Sequence, residues 1–168
     1  MLPKNLADAL NQQINAEMWS AYLYLSMSLH FQNEGLNGFG NWFMIQFQEE
    51  QAHALALMAY LNARDVKVIL KPIDEVPNSW DSPLAAFEAT LEHEKKVTGL
   101  INNLYAMAEE AKDFATRQKL NTFVAEQVEE EENVRQIIDD LKLVGTDGTG
   151  LLQLDRELGS RTFVAPQL

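Results

Sequence analysis

The sequence predicts an all-α protein: a four-helix bundle with one long crossover between helices two and three, and a short fifth helix at the C-terminal end. Three observations lead to this prediction. Glycine and proline cluster at a few breaks and leave four long stretches almost free of them. Apolar residues recur in these stretches at three- and four-residue steps, the helical period, and alternating strand patterns are nearly absent. Four similar helices in one small chain indicate a bundle.

The first two helices are expected over residues 5–33 and 39–64, with a short break between them that contains Gly35 and Gly38. Residues 65–82, which include two prolines, form the next break. Fully extended, this segment spans roughly 59 Å, enough to cross the whole bundle. Such a length is unusual between adjacent helix ends. We therefore expect helices two and three to run parallel, whereas the two short breaks join antiparallel pairs.

The third and fourth helices follow this crossover. The third begins near Pro83, a residue tolerated in the first helical turn, and Asp81 or Ser82 provides its N-cap. After a short break near residues 111–113, the fourth helix continues until Gly145 supplies a C-terminal stop.

We divide the chain into a bundle of residues 1–145 and a C-terminal segment of residues 146–168. Asp147 is suited to cap a short helix in this segment. A helix of about ten residues is unstable alone in water, so it must dock on its own bundle or on a neighbouring subunit. The leucines available for docking are Leu151, Leu152, Leu154 and Leu158.

Composition excludes several classes of function. The chain has 168 residues, of which 25 are acidic and 13 basic, and its net charge of -12 opposes binding to nucleic acid or an anionic membrane. The absence of cysteine excludes disulfides, zinc–thiolate sites and thiol nucleophiles. The sequence has neither a signal-peptide pattern nor a run of about 18 apolar residues, so we expect a cytoplasmic location.

The core-facing stripe of each predicted helix is apolar at its ends and polar near its middle. The polar positions fall at a similar depth in all four helices, so packing side by side brings them to one level. Because no lysine or arginine lies on the stripes at this level, either some carboxylates are protonated or a cation neutralises them. The glutamates concerned are Glu17, Glu50, Glu94 and Glu130.

A metal site explains this layer best. Two divalent cations would bring the four carboxylates close to neutrality. Glu50 and His53 are spaced i, i+3, which puts an oxygen and a nitrogen ligand on one helix face, and Gln127 and Glu130 share that spacing. One imidazole among carboxylates, without sulfur, disfavours structural zinc and suits iron or manganese. A single inward glutamate is easily a misplaced surface residue, but one on each of four helices is not.

Four groups of residues match a known family. They are Glu17 with Tyr24, the run Glu49–His53, the pair His93–Glu94 and the acidic run Ala125–Glu131. Together they resemble the bacterial non-haem ferritins over essentially the whole chain. The resemblance implies a ferritin-like bundle with ferroxidase activity, in which Fe²⁺ is oxidised by O₂ or H₂O₂. It also implies storage of the product as a ferric mineral inside a homo-oligomeric shell of about 24 subunits.

The same resemblance implies two iron ions per subunit at the ferroxidase site. Glu17, Glu50 and His53 would hold the first ion. Glu50 would bridge to the second, which Glu94 and Glu130 would hold.

The resemblance also implies roles for residues around this pair. Gln127 would lie close to the second ion, and Tyr24 would act as an electron donor or hydrogen-bond partner. A third iron site, on the way to the inner cavity, is implied for Glu49, Glu126 and Glu129 together with Glu130.

The sequence departs from related subtypes at three positions. Haem-containing bacterioferritins carry a second Glu-x-x-His motif on the fourth helix, where this chain has Gln127-x-x-Glu130, and Ala52 stands in place of their haem-ligand methionine. We therefore expect no haem. Thr122 replaces an aromatic residue of some relatives, and His93 is expected to face outward or toward a neighbour.

Two other functions fit part of the pattern. A di-iron peroxidase or oxygenase on the same bundle would call for an electron-carrier domain or the second Glu-x-x-His motif, and the sequence has neither. A non-catalytic acidic interaction module would predict neither tight metal binding nor assembly. We favour the ferroxidase and iron store.

Overall fold

The computed structural model describes residues 2–167, and within this range it has five α-helices and no strand. The all-α prediction is confirmed. Each expected helix boundary agrees with the observed one to within a few residues. Glycine or proline marks the breaks before α2, α3 and α5, whereas the break before α4 contains Lys112, which has a positive φ of 53°. The helices are α1 (Lys4–Asn33), α2 (Asn37–Ala63), α3 (Pro83–Glu110), α4 (Phe114–Val144) and α5 (Gly148–Leu158).

The helix ends use the predicted capping residues. Ser82, rather than Asp81, caps α3, and its side chain accepts a hydrogen bond from the backbone N–H of Ala85. Asp147 caps α5 through Thr149 and Gly150. Gly145 ends α4 with a positive φ of 55°, a conformation that glycine adopts without steric cost.

The crossover, residues 64–82, follows α1 along most of its length. Asn11 contacts its start, since the Ile69 N–H donates to Asn11 Oδ1 at 2.7 Å. Further along α1, Ser26 donates to the carbonyl of Pro77 at 2.6 Å. The crossover thus returns the chain from the end of α2 to the level where α2 began, so α2 and α3 run parallel as expected.

Two apolar clusters fill the bundle, one toward each end. The first includes Phe31, Phe43 and Phe87, and the second includes Leu10 and Leu57. The layer between them is polar, as the sequence predicted. No helix in residues 2–167 combines the length and hydropathy required to span a membrane.

The C-terminal helix docks on its own bundle, against α2 and α4. Leu154 and Leu158 are buried there, with exposed fractions of 7% and 8%. Asp155 Oδ1 accepts hydrogen bonds from the N–H groups of Gly38 and Phe39 at 2.8 and 3.0 Å. This carboxylate therefore satisfies two free donors at the start of α2, where the helix dipole favours negative charge.

The close approach of α5 to α2 predicts opposite effects for two glycine substitutions. A Cβ at Gly38 would overlap the backbone carbonyl of Asp155, whereas a Cβ at Gly99, inside α3, would meet nothing within 4 Å. Gly38→Ala should destabilise the protein by about 1–3 kcal/mol. Gly99→Ala, the matched control, should stabilise it by about 0.5–1 kcal/mol, because alanine favours the helix. Thermal unfolding checks both, and an unchanged midpoint for Gly38→Ala would contradict the docking of α5.

Candidate metal centre

Each long helix brings one glutamate into the polar layer between the two apolar clusters. Glu17, Glu50 and Glu94 are almost fully enclosed, with exposed fractions of 1%, 2% and 0%. Glu130 of α4 is half-buried. The helical period places them there because each lies on the same stripe as the apolar residues that pack the bundle.

Glu17, Glu50 and His53 form the tightest group. Their ligand atoms lie within 4.8 Å of one another. His53 Nδ1 is 3.3 Å from Glu50 Oε2 and 4.0 Å from Glu17 Oε2. The structure thus brings together the three residues that the family resemblance implied for a first metal ion.

The oxygen Glu17 Oε2 is buried and has no hydrogen-bond partner among residues 2–167, although Gln13 donates to the other carboxylate oxygen at 2.8 Å. An unpaired buried carboxylate oxygen is costly. A divalent cation between Glu17, Glu50 and His53 would remove that cost, and carboxylate oxygen with imidazole nitrogen is a donor set that iron accepts.

Glu94 forms a second group with Tyr24 and Gln127. The hydroxyl of Tyr24 donates to Glu94 Oε1. Gln127 Nε2 donates to Glu94 Oε2 at 3.1 Å. Both neighbours named by the sequence therefore contact this carboxylate directly, and they hold its orientation.

Glu130 has a partner that the sequence did not single out. Gln46 Nε2 donates to Glu130 Oε2 at 2.9 Å. Gln46 lies on the predicted core-facing stripe of α2, one turn before Glu50, and that position was the signal available for it.

The charge in this layer is poorly compensated. Among the described residues no lysine or arginine forms an ion pair with Glu17, Glu50, Glu94 or Glu130; the only cationic partner is His53. Burial raises the pKa of Glu50 well above its ordinary value, against the opposing effect of His53. Burial also raises the pKa of Glu94 to about 7, and the charge of Glu130 adds to the shift.

Burial and the nearby carboxylates also shift the pKa values of His53 and Tyr24. Burial lowers the pKa of His53, but the carboxylates of Glu50 and Glu126 outweigh that effect and raise it well above its usual range. Burial, with the nearby charges of Glu94 and Glu50, raises the pKa of Tyr24. Tyr24 therefore stays protonated and able to donate to Glu94.

Beyond the polar layer, a cavity of about 300 Å³ is lined by the acidic residues expected for a third iron site. His53 Nε2 lies 2.9 Å from Glu126 Oε2, so Glu126 faces the ring edge opposite Glu50. Arg161, which the sequence analysis did not identify, also lines this cavity. Its Nη2 atom is 2.7 Å from Glu49 Oε2. The four glutamates lining the cavity are Glu49, Glu126, Glu129 and Glu130.

His93 and Thr122, to which the sequence analysis assigned no function, each form a hydrogen bond within the bundle. The Nε2 atom of His93 lies 2.7 Å from the Ser20 hydroxyl on α1, and burial lowers the pKa of His93 to about 4. His93 thus faces a neighbouring helix and is neutral at pH 7. Thr122 donates to the carbonyl of Lys119 in its own helix at 3.0 Å.

The raised pKa of Glu94 predicts a pH-dependent stability of the metal-free protein. Between an unfolded value near 4.5 and a folded value of about 7, the folded state binds the extra proton, so stability falls as pH rises through this range. At about 1.4 kcal/mol per pKa unit, the loss is about 3 kcal/mol per subunit.

Glu94→Gln should remove much of this slope, because the side chain then has no proton to lose. Denaturant unfolding of the metal-free protein across this pH range checks it. Glu88→Gln, an exposed position on the same helix, is the matched control and should keep the slope. Equal slopes for Glu94→Gln and the unaltered chain would contradict the assignment.

Comparison with known proteins agrees with this geometry. Residues 7–144 match the family model of the ferritin-like domain. Over 161 residues the chain is 44% identical to a bacterial non-heme ferritin of Bacteroides fragilis, covering 96% of this chain and 100% of that protein. It is 37% identical to a bacterial non-heme ferritin of Staphylococcus aureus over 163 residues, 97% of this chain and 98% of that protein.

Solved structures give the same result. An open-pore ferritin from Archaeoglobus fulgidus superimposes with a TM-score of 0.95 at 48% identity, covering 96% of this chain and 100% of that one. With the fold, the buried carboxylates and these relatives in agreement, the chain belongs to the ferritin family.

Proposed function

We propose that this protein stores iron and oxidises it as a ferroxidase. The observation that carries the proposal is the buried group of Glu17, Glu50 and His53, whose ligand atoms lie within 4.8 Å of one another around an unpaired carboxylate oxygen. Family membership supports the same conclusion. Fe²⁺ is then the substrate of the site, and the ferric ion is its product.

The residues divide into two halves of one site. Glu17, Glu50 and His53 bind the first Fe²⁺, with the imidazole contributing Nδ1, the nitrogen that faces Glu50. Glu94 and Glu130 bind the second, and Glu50 lies between the two ions as a shared ligand. Glu126, facing Nε2, fixes the orientation of the His53 ring, as carboxylates beyond a metal ligand commonly do.

The electron count of the reaction requires two iron ions. Each Fe²⁺ loses one electron, and O₂ takes up both electrons with two protons to leave as H₂O₂. With H₂O₂ as oxidant, the same two electrons and two protons give two water molecules. Two ions in one buried site deliver both electrons together, which limits the release of one-electron oxygen radicals.

Tyr24 and Gln127 position Glu94 for this reaction. Tyr24 donates to one carboxylate oxygen and Gln127 to the other. We assign Tyr24 as a hydrogen-bond partner beside the iron pair. A third iron ion, bound by Glu49, Glu126, Glu129 and Glu130, marks the inward path of the product.

Storage also requires an enclosed volume, which a single 19.0 kDa bundle lacks. We propose a homo-oligomeric shell, built from symmetric contacts between bundles. Ile69 and Leu70 of the crossover are exposed at 50% and 70%, and they offer apolar surface for such a contact.

Glu50→Ala tests the shared ligand. Removing it should slow the rapid phase of Fe²⁺ oxidation by at least about 100-fold, because both ions lose a ligand. Stopped-flow absorbance after mixing Fe²⁺ with the aerobic protein measures this phase. Glu88→Ala, on the exposed face of α3, is the control and should oxidise iron at the original rate. An undiminished burst in Glu50→Ala would refute the assignment.

The size of the particle in solution tests the storage proposal. Light scattering should report a particle of about half a megadalton, as expected for about 24 copies in closed symmetry. Glu50→Ala should assemble to the same size, since its side chain lies inside one subunit. A monomer or small dimer would rule out a storage shell.

A further inference from the structure

Arg161, in the C-terminal segment, is a cationic partner for the inner carboxylates, the four glutamates that line the cavity described above. Its Nη2 atom lies 2.7 Å from Glu49 Oε2, and its Nη1 atom lies 2.7 Å from Gln46 Oε1. The positive charge beside Glu49 is not supplied by α2 or α4, the helices that carry the glutamates. It comes from the chain just after α5, three residues beyond Leu158.

The contact with Gln46 extends the effect of Arg161 to Glu130. Because the guanidinium donates to the amide oxygen of Gln46, the amide nitrogen is directed toward Glu130, to which it donates at 2.9 Å. In the proposed function, Glu130 is a ligand of the second iron ion and also one of the inner carboxylates that bind the third. One guanidinium therefore holds Glu49 directly and Glu130 through one amide.

Arg161 is itself held in place by α2. Asn41 Nδ2 donates to the carbonyls of Leu158 and Arg161 at 3.2 and 3.0 Å. The guanidinium carbon lies 4.8 Å from the centre of the Trp42 ring, within cation–π range. Both the backbone and the guanidinium of Arg161 are thus held by α2, unlike those of an arginine that extends freely into solvent.

We propose that Arg161 competes with the third metal ion for Glu49 and Glu130, so that iron reaches the inner site only by displacing the guanidinium. This inference rests on the third iron site of the proposed function. Arginine stays charged at any physiological pH, so the competition does not depend on titration.

Charge repulsion opposes simultaneous binding of the guanidinium and a metal ion at Glu49. A divalent ion bound to Glu49 would lie within a few ångströms of the guanidinium, and charges of like sign at that distance repel strongly in a partly buried site. Arg161 would then favour departure of the ferric product to the mineral over its retention among the glutamates. It is a positioning residue, since it acts on iron through its hold on these glutamates.

Titration of the metal-free, assembled protein with Zn²⁺ by calorimetry tests the proposal, since Zn²⁺ does not change its oxidation state. Two tight ions per subunit are expected at the iron pair, followed by a weaker third. Arg161→Gln should tighten the third ion by at least about tenfold, because one opposing charge is lost. A gain in affinity distinguishes this result from global unfolding, which would weaken the binding of all three ions.

Three further variants make the result specific. Arg161→Lys keeps the charge and should keep the third ion weak. Arg156→Gln removes an exposed arginine of α5 and should bind Zn²⁺ like the unaltered chain. Adding Glu49→Gln to Arg161→Gln should abolish the gain, since it removes the ligand for which the two cations compete.

A third ion that is unchanged, weaker or absent in Arg161→Gln would overturn the proposal, as would an equal gain in Arg161→Lys or Arg156→Gln. Failure of the proposed function gives a different result. In that case the unaltered chain would lack the two tight ions, whatever residue stands at position 161.

Discussion

The structure depends on the enclosure of four glutamates inside a helical bundle with few positive charges beside them. Glu17, Glu50 and Glu94 are removed from water almost completely, and within residues 2–167 the ion pairs of Glu17 and Glu50 are made with His53 alone. Burying like charges together destabilises a protein unless something neutralises them. The bundle therefore retains a destabilising polar layer whose charge a bound metal cation would neutralise.

The rest of the fold supports that layer. Apolar clusters above and below it, with aromatic residues such as Phe43 and Phe87 in one and leucines in the other, hold the four helices in a fixed register. The crossover bonds to α1 at several points and keeps α2 and α3 parallel. The proposed ligands lie on helices, which hold side chains in more precise positions than loops do.

The C-terminal segment links the start of α2 to the inner carboxylates. Asp155 of α5 accepts from N–H groups in the first turn of α2, and Arg161, just after α5, contacts Glu49 and Gln46. The segment that adds Leu154 and Leu158 to an apolar cluster of the bundle thus also carries charged side chains that contact α2. Its apolar anchor, Leu154 and Leu158, is what brings these charges into position.

The sequence by itself determined the helices, their parallel and antiparallel order, and the level of the glutamates, because breaks and helical periodicity are local properties of the chain. It also identified Gln127 and Tyr24, since both lie on the same stripes. Only the tertiary structure decided that Gln46 binds Glu130, that Ser20 faces His93, and that Arg161 pairs with Glu49. Such contacts join residues distant in sequence, up to 112 positions apart for Arg161 and Glu49, and no periodicity records which of them packing brings together.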